Sequence, residues 1–128
     1  MTLTKSLIKA DIIAARQAIE YYELKGIKSI KNIAAYHLQQ ATEKIIKYQI
    51  YESGVTIDNS QIYTHNIERL LVYGDSLGIS LNVPDYIREK TARITDWEAG
   101  SRYDMSFSIR IDLLKKTYDV IEKWFSRI

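Results

Sequence analysis

The chain has 128 residues, a length that suits one domain over 1–128, and its make-up of 46% apolar and 27% charged residues is that of a globular protein rather than a disordered tail. A net charge of +2 with both signs interspersed forces no nucleic-acid footprint, yet leaves room for a local patch that holds a nucleotide or short RNA. The absence of cysteine excludes disulfide scaffolds, thiolate zinc sites and cysteine nucleophiles, and it fits a reducing compartment.

The first helix is predicted over about residues 4–25. Lys5, Lys9 and Asp11 interrupt any secretory core there, and no later apolar run approaches the ~20 residues that span a bilayer, so a cytoplasmic location without membrane contact is expected. Leu7, Ala10, Ala14, Ala18 and Tyr21 recur at spacings of three and four and form an apolar stripe, and Gly26 stands where a left-handed stop belongs. A second helix is predicted from Ser29 to Ser53, closed by Gly54 in the same way. Lys25, Lys28 and Lys31 read as a solvated edge, while Tyr21, Tyr48 and Tyr118 read as core residues with the hydroxyl at the rim. Tyr36, Tyr51 and Tyr63 suit an interface.

After a looser segment, "VTIDNSQIY", Thr64 is the expected N-cap of a third helix ending near Leu77-Gly78. Pro84 suits the first turn of a fourth helix carrying Ile87, Ile94 and Trp97, with Asp85 complementing the dipole, until "EAGSRYDMS" breaks the pattern. A last helix over about 106–127 shows the stripe Leu114, Tyr118, Ile121 and Phe125, with Asp104, Ser106 and Ser108 competing to cap it. The expected fold is all-α, an antiparallel up-and-down bundle of four long helices with a short extra one.

Chemistry-bearing residues are few. The two histidines, His37 and His65, form no i, i+4 metal pair, and the five glycines form no phosphate loop, so no metal, cofactor or catalytic set is expected from residue types alone. The second helix carries a polar row, His37, Gln40, Lys44 and Lys47, whose neighbours are roughly 5–6 Å apart on one face. Lys44 and Lys47 can meet phosphate oxygens as point charges while Gln40 and His37 read polar edges; equally, the row can be a hydrogen-bonded seam between helices with solvated lysines. His65 follows Thr64 at a helix start, where free amides and the dipole favour an anion; the plainer alternative is a ring packed on the bundle. Arg102 and Tyr103, in an irregular stretch before the last helix, offer a planar fork and an aromatic face, or else an ion pair with Glu98 or Asp104 and a plug for the bundle end.

The run His37, Gln40, Ala41, Glu43, Lys44, then Thr64, His65, Asn66, Ile67, then Arg102 and Tyr103, resembles the HEPN domain family over roughly residues 5–126, and more closely its small stand-alone prokaryotic branch. The family pattern is His-x-x-Gln-Ala-x-Glu-Lys on one helix, Thr-His-(Asp/Asn)-Leu opening the next, and Arg-Tyr-Pro before the last. Asp104 stands where that proline is usual. Many members are ribonucleases carrying an arginine followed, after four to six residues, by histidine. Here neither histidine has an arginine at that spacing, and Arg102 has no histidine after it. The resemblance therefore implies the family's other role: a non-catalytic module that binds a nucleotide-like ligand of the ATP or GTP class, or pairs with a small nucleotidyltransferase in a toxin–antitoxin type arrangement. It also implies a homodimer. The alternatives are a ribonuclease with a non-standard site and a purely structural dimerisation domain; RNA is a less favoured partner. The candidate ligand contacts are His37, Gln40, Lys44, Lys47, Thr64, His65, Arg102 and Tyr103.

Overall fold

In the computed structural model of the chain the described residues are 3–103 and 109–128, with the side chains of 101–103 outside the description. Among them there are seven helices and no strand: α1 Lys5–Lys25, α2 Ile30–Glu52, α3 Asn59–Ile62, α4 Ile67–Ser76, α5 Asp85–Glu89, α6 Thr91–Tyr103 and α7 Ile111–Phe125. The all-α expectation holds; the count of four long helices plus one does not.

α1 and α2 form the framework. Gly26 ends α1 at φ 69°, its N–H donating to Tyr22 O at 2.7 Å, a left-handed stop that a side chain would resist. The two helices run antiparallel, as the cross-pairs show: Lys5 lies over the Tyr48 ring, Asp11 between His37 and Lys44, and Lys31 over Tyr22 at 5.0 Å. Lys31 is thus buried at 8% exposure rather than part of a solvated edge, because its stem lies along the hairpin and its ammonium finds an aromatic face.

α2 is the central helix and packs against α1, α4, α6 and α7. Ala34, Ala35, Leu38, Ala41, Ile45, Ile46 and Ile50 are all fully buried, and each large aliphatic among them contributes roughly 1.5–3 kcal/mol on leaving water. The stripe that α1 turns inward is Ile8, Ile12, Ala15, Ala18 and Ile19. The expected stripe is displaced by about one position: Leu7 and Tyr21 are 48% and 45% exposed, so Tyr21 is not a core residue. Both stripes satisfy the helical period, and the position of α2 decides between them.

Several boundaries differ from expectation for local reasons. The looser segment contains α3, capped by Asp58, whose carboxylate accepts from Ser60 N at 3.0 Å while its own N–H donates to Tyr73 Oη at 2.7 Å. The cap of α4 is Asn66, accepting from Arg69 N at 3.0 Å, and not Thr64, whose hydroxyl accepts from Asn66 N one step earlier. The helix expected after Pro84 is broken at Lys90 (φ −111°, ψ 15°), where α5 closes on a Lys90 N to Ile87 O bond and α6 begins. Pro84 itself is the N-cap residue of α5 rather than its first turn. α6 then runs through "EAGSRY" to Tyr103, and α7 starts only at Ile111, with Arg110 at the cap position. The expected caps Asp104, Ser106 and Ser108 lie outside the described residues. On α7 the buried stripe is Leu114, Thr117, Ile121 and Trp124, with Tyr118 and Phe125 half-buried beside it.

Candidate functional site

Two carboxylates organise the polar face of α2. Asp11, from the inward side of α1, is 7% exposed, and Glu43, from α2 itself, is 5% exposed. A buried carboxylate is tolerated only with partners that replace its hydration, and each of these has an imidazole on one oxygen and an ammonium on the other.

Asp11 Oδ1 lies 2.8 Å from His37 Nδ1, and Lys44 Nζ donates to Asp11 Oδ2 at 2.6 Å. His37 and Lys44 are seven residues apart on α2, hence on one face, and Asp11 reaches across the hairpin to take both. The His37 ring also meets the Tyr36 ring edge-on at 5.3 Å between centroids.

Glu43 Oε1 lies 2.8 Å from His65 Nδ1, and Lys47 Nζ donates to Oε2 at 3.1 Å one helical turn on. Gln39, fully buried, donates from Nε2 to Glu43 Oε1 and to the His65 carbonyl, each at 3.2 Å, and accepts from Gln40 Nε2 at 2.7 Å. The turn before α4 is thereby fastened to α2 through both the backbone and the ring of His65. Carboxylates only accept, so Nδ1 of each histidine carries a proton and donates, which leaves Nε2 as the acceptor in the neutral ring.

The expected row of His37, Gln40, Lys44 and Lys47 is therefore real as a face but divided between two centres, with Gln40 as the link. It is a seam, and its lysines are not solvated: the Lys47 side chain is only 12% exposed and that of Lys44 27%. His65, at 64%, is not packed into the bundle.

Beside Thr64 and His65, where an anion was one expected ligand, the chain supplies acceptors of its own. Asn66 N donates to Thr64 Oγ1, Ile67 N to Thr95 Oγ1 at 3.0 Å and Arg69 N to the Asn66 side chain, so three of the amides around the start of α4 already have acceptors. Thr64, His65 and Asn66 instead form one wall of an open cleft of about 660 Å³, the other wall being Thr95, Asp96, Glu98, Ala99 and Gly100 of α6. Arg102 and Tyr103 follow on the last turn of that helix, not in an irregular stretch, and their side chains lie outside the described residues.

Asp11 and Gln39 are the residues that sequence reasoning passed over. The available signal was a carboxylate in phase with Ile8, Ile12 and Ala15, on a face that otherwise faces the core. Among the described residues no group of three or more His, Cys, Asp or Glu side chains is placed to hold a metal ion, and no helix is long and apolar enough to cross a membrane.

The fold and the seam define an all-helical module in which a central helix is tied to its neighbours through histidines held on buried carboxylates. The chain belongs to the HEPN domain family, whose model matches residues 11–127. No curated protein and no solved structure matches it.

Proposed function

We propose that this chain is a non-catalytic HEPN module of a nucleotide- or RNA-related system, and that it works by docking a small nucleotidyltransferase, as in a toxin–antitoxin pair, rather than by holding a free nucleotide. The observation that carries the choice is the pairing of both lysines of the α2 row: Lys44 is 2.6 Å from Asp11 and Lys47 is 3.1 Å from Glu43. The formal charges of these four groups cancel, so a phosphate approaching the face meets no uncompensated cation. Hydrogen-bonding edges on His37, Gln40 and the exposed His65 are what the face offers, and these suit a polar protein surface. The missing arginine–histidine spacing supports the non-catalytic half.

Thermal unfolding with millimolar ATP or GTP separates the two forms. Nucleotide at ~100 Kd adds about 2.7 kcal/mol of stability, a large shift in melting temperature. No shift is expected; a shift abolished in Lys44→Ala/Arg102→Ala would install the nucleotide as the ligand. For the docking form, co-elution with a purified small nucleotidyltransferase of the same organism is expected, weakened by His65→Ala, and no complex at micromolar concentrations would overturn it.

A second reading, a ribonuclease with a non-standard site, has its own supporting observation. Both rings have Nδ1 oriented by a buried carboxylate, the arrangement that prepares Nε2 to accept a proton. His37 or His65 then acts as general base, with Arg102 stabilising the charged transition state. Cleavage of labelled RNA by the wild type that disappears in His37→Ala or His65→Ala would favour this reading over docking.

A further inference from the structure

The last turn of α2 carries Tyr48, Gln49 and Glu52, which form one wall of a cavity of about 340 Å³. The other walls come from the connection between α4 and α5 and from the chain after α7. The volume is at the lower end of the roughly 300–1,000 Å³ of small-molecule sites. Its walls are fastened to the rest of the bundle. Asn82 N donates to Gln49 Oε1 at 2.9 Å, and Lys5 Nζ donates to Ile128 O at 2.6 Å while lying over the Tyr48 ring. The cavity shares no residue with the cleft at His65, so it stands apart from the docking surface proposed above.

The polar groups of this cavity are not used up by one another. Glu52 and Arg127 both line it, yet neither pairs with the other or with another side chain among the described residues. Gln49 Nε2 is buried and meets no acceptor among the described residues. Its orientation is fixed, because Oε1 of the same amide is taken by Asn82 N. Buried donors left unmade are rare in folded proteins and costly to keep. Ile79, Ile128 and the Tyr48 ring supply apolar surface beside these groups. One small cavity thus holds an anion, a cation, an unmet donor and an apolar wall. A purely anionic ligand would lie against the Glu52 carboxylate, and a simple amine would leave Arg127 and Gln49 unmet.

We propose that this cavity binds a free α-amino acid with an uncharged, aliphatic side chain. Its carboxylate accepts from the planar fork of Arg127 and from Gln49 Nε2. Its ammonium donates to Glu52, at the C-terminal end of α2, where the helix dipole also favours a cation. Its side chain lies against Ile79 and Ile128. A zwitterion is the small ligand that answers both charges at once and brings no net charge into the cavity.

Calorimetric titration of the full chain with leucine tests the site. Saturable binding is expected. Isocaproate, which is leucine without the ammonium, and isoamylamine, which is leucine without the carboxylate, should each bind at least about tenfold more weakly, the loss of one charged hydrogen-bonded contact. Glu52→Gln should bring leucine down to the level of isocaproate and leave isocaproate itself unchanged, and Arg127→Gln should do the same with isoamylamine. Both side chains are exposed, so both variants should melt as the wild type does. No heat from leucine, isoleucine or valine at millimolar concentration overturns the proposal. Equal binding of leucine and its two analogues overturns it as well, as does leucine binding that neither substitution weakens.

Discussion

The Asp11 and Glu43 centres use the same three chemical groups and hold different things. Asp11 ties two long helices together: its histidine and lysine both come from α2, and the carboxylate arrives from α1. Glu43 draws its lysine from its own helix and its histidine from a turn, and Gln39 supports it on the same oxygen. The partners also differ in exposure. The His37 and Lys44 side chains are 28% and 27% exposed, whereas Lys47 is 12% and His65 64%. A buried carboxylate thus sets how firmly its neighbours are held, and the reach of each neighbour to water sets how much is lost when the carboxylate goes.

The largest expected effect follows from that difference. Glu43→Ala strands Lys47 with little access to water and removes the acceptor of Gln39, so it is expected to cost about 3 kcal/mol, the lower end for breaking a buried pair. Asp11→Ala leaves two partners that can turn to solvent, and about 2 kcal/mol is expected. Urea denaturation of both variants checks the order, and equal losses would break the distinction.

A smaller effect separates the two histidines. His37→Ala removes a half-buried ring that bridges two helices and is expected to cost about 1 kcal/mol, whereas His65→Ala, at an exposed turn whose backbone Gln39 still holds, is expected to cost about half as much. Amide exchange sharpens this: His65→Ala should loosen residues 63–67 alone, while His37→Ala should lower protection along α1.

The smallest effect comes from a surface carboxylate that serves as a control. Tyr118 Oη donates to Glu122 at 2.8 Å, and burial, together with that bond and the Glu122 charge, pushes its pKa up to about 12. The folded state therefore holds the phenol proton more tightly than the unfolded chain. The resulting stabilisation is fully present below about pH 10 and is lost as pH rises towards 12. Tyr118→Phe should flatten the alkaline fall in melting temperature without touching either buried centre.

Much of this was legible in the chain itself. Gly26 and Gly54 mark the ends of the first two helices because a left-handed residue stops a helix locally, and the polar row from His37 to Lys47 shares a face because helical period is local too. The family was legible because the most specific part of its motif, His37 to Lys44, is a run on one helix. Local chemistry also misled: Thr64 and Asn66 are both good caps, and the bond from Ile67 N across to Thr95 Oγ1, beside the Asn66 cap on Arg69 N, shows where α4 begins.

Sequence alone determined the helical class, the main helix ends and which residues of α2 stand together, since each depends on neighbours within one or two turns. Tertiary structure decided which of the two α1 stripes is core, that Asp11 meets His37 and Lys44, and that the lysines of the row are neutralised. Those outcomes depend on which helix lies against which, and two stripes of equal period on one helix give no local reason to prefer either.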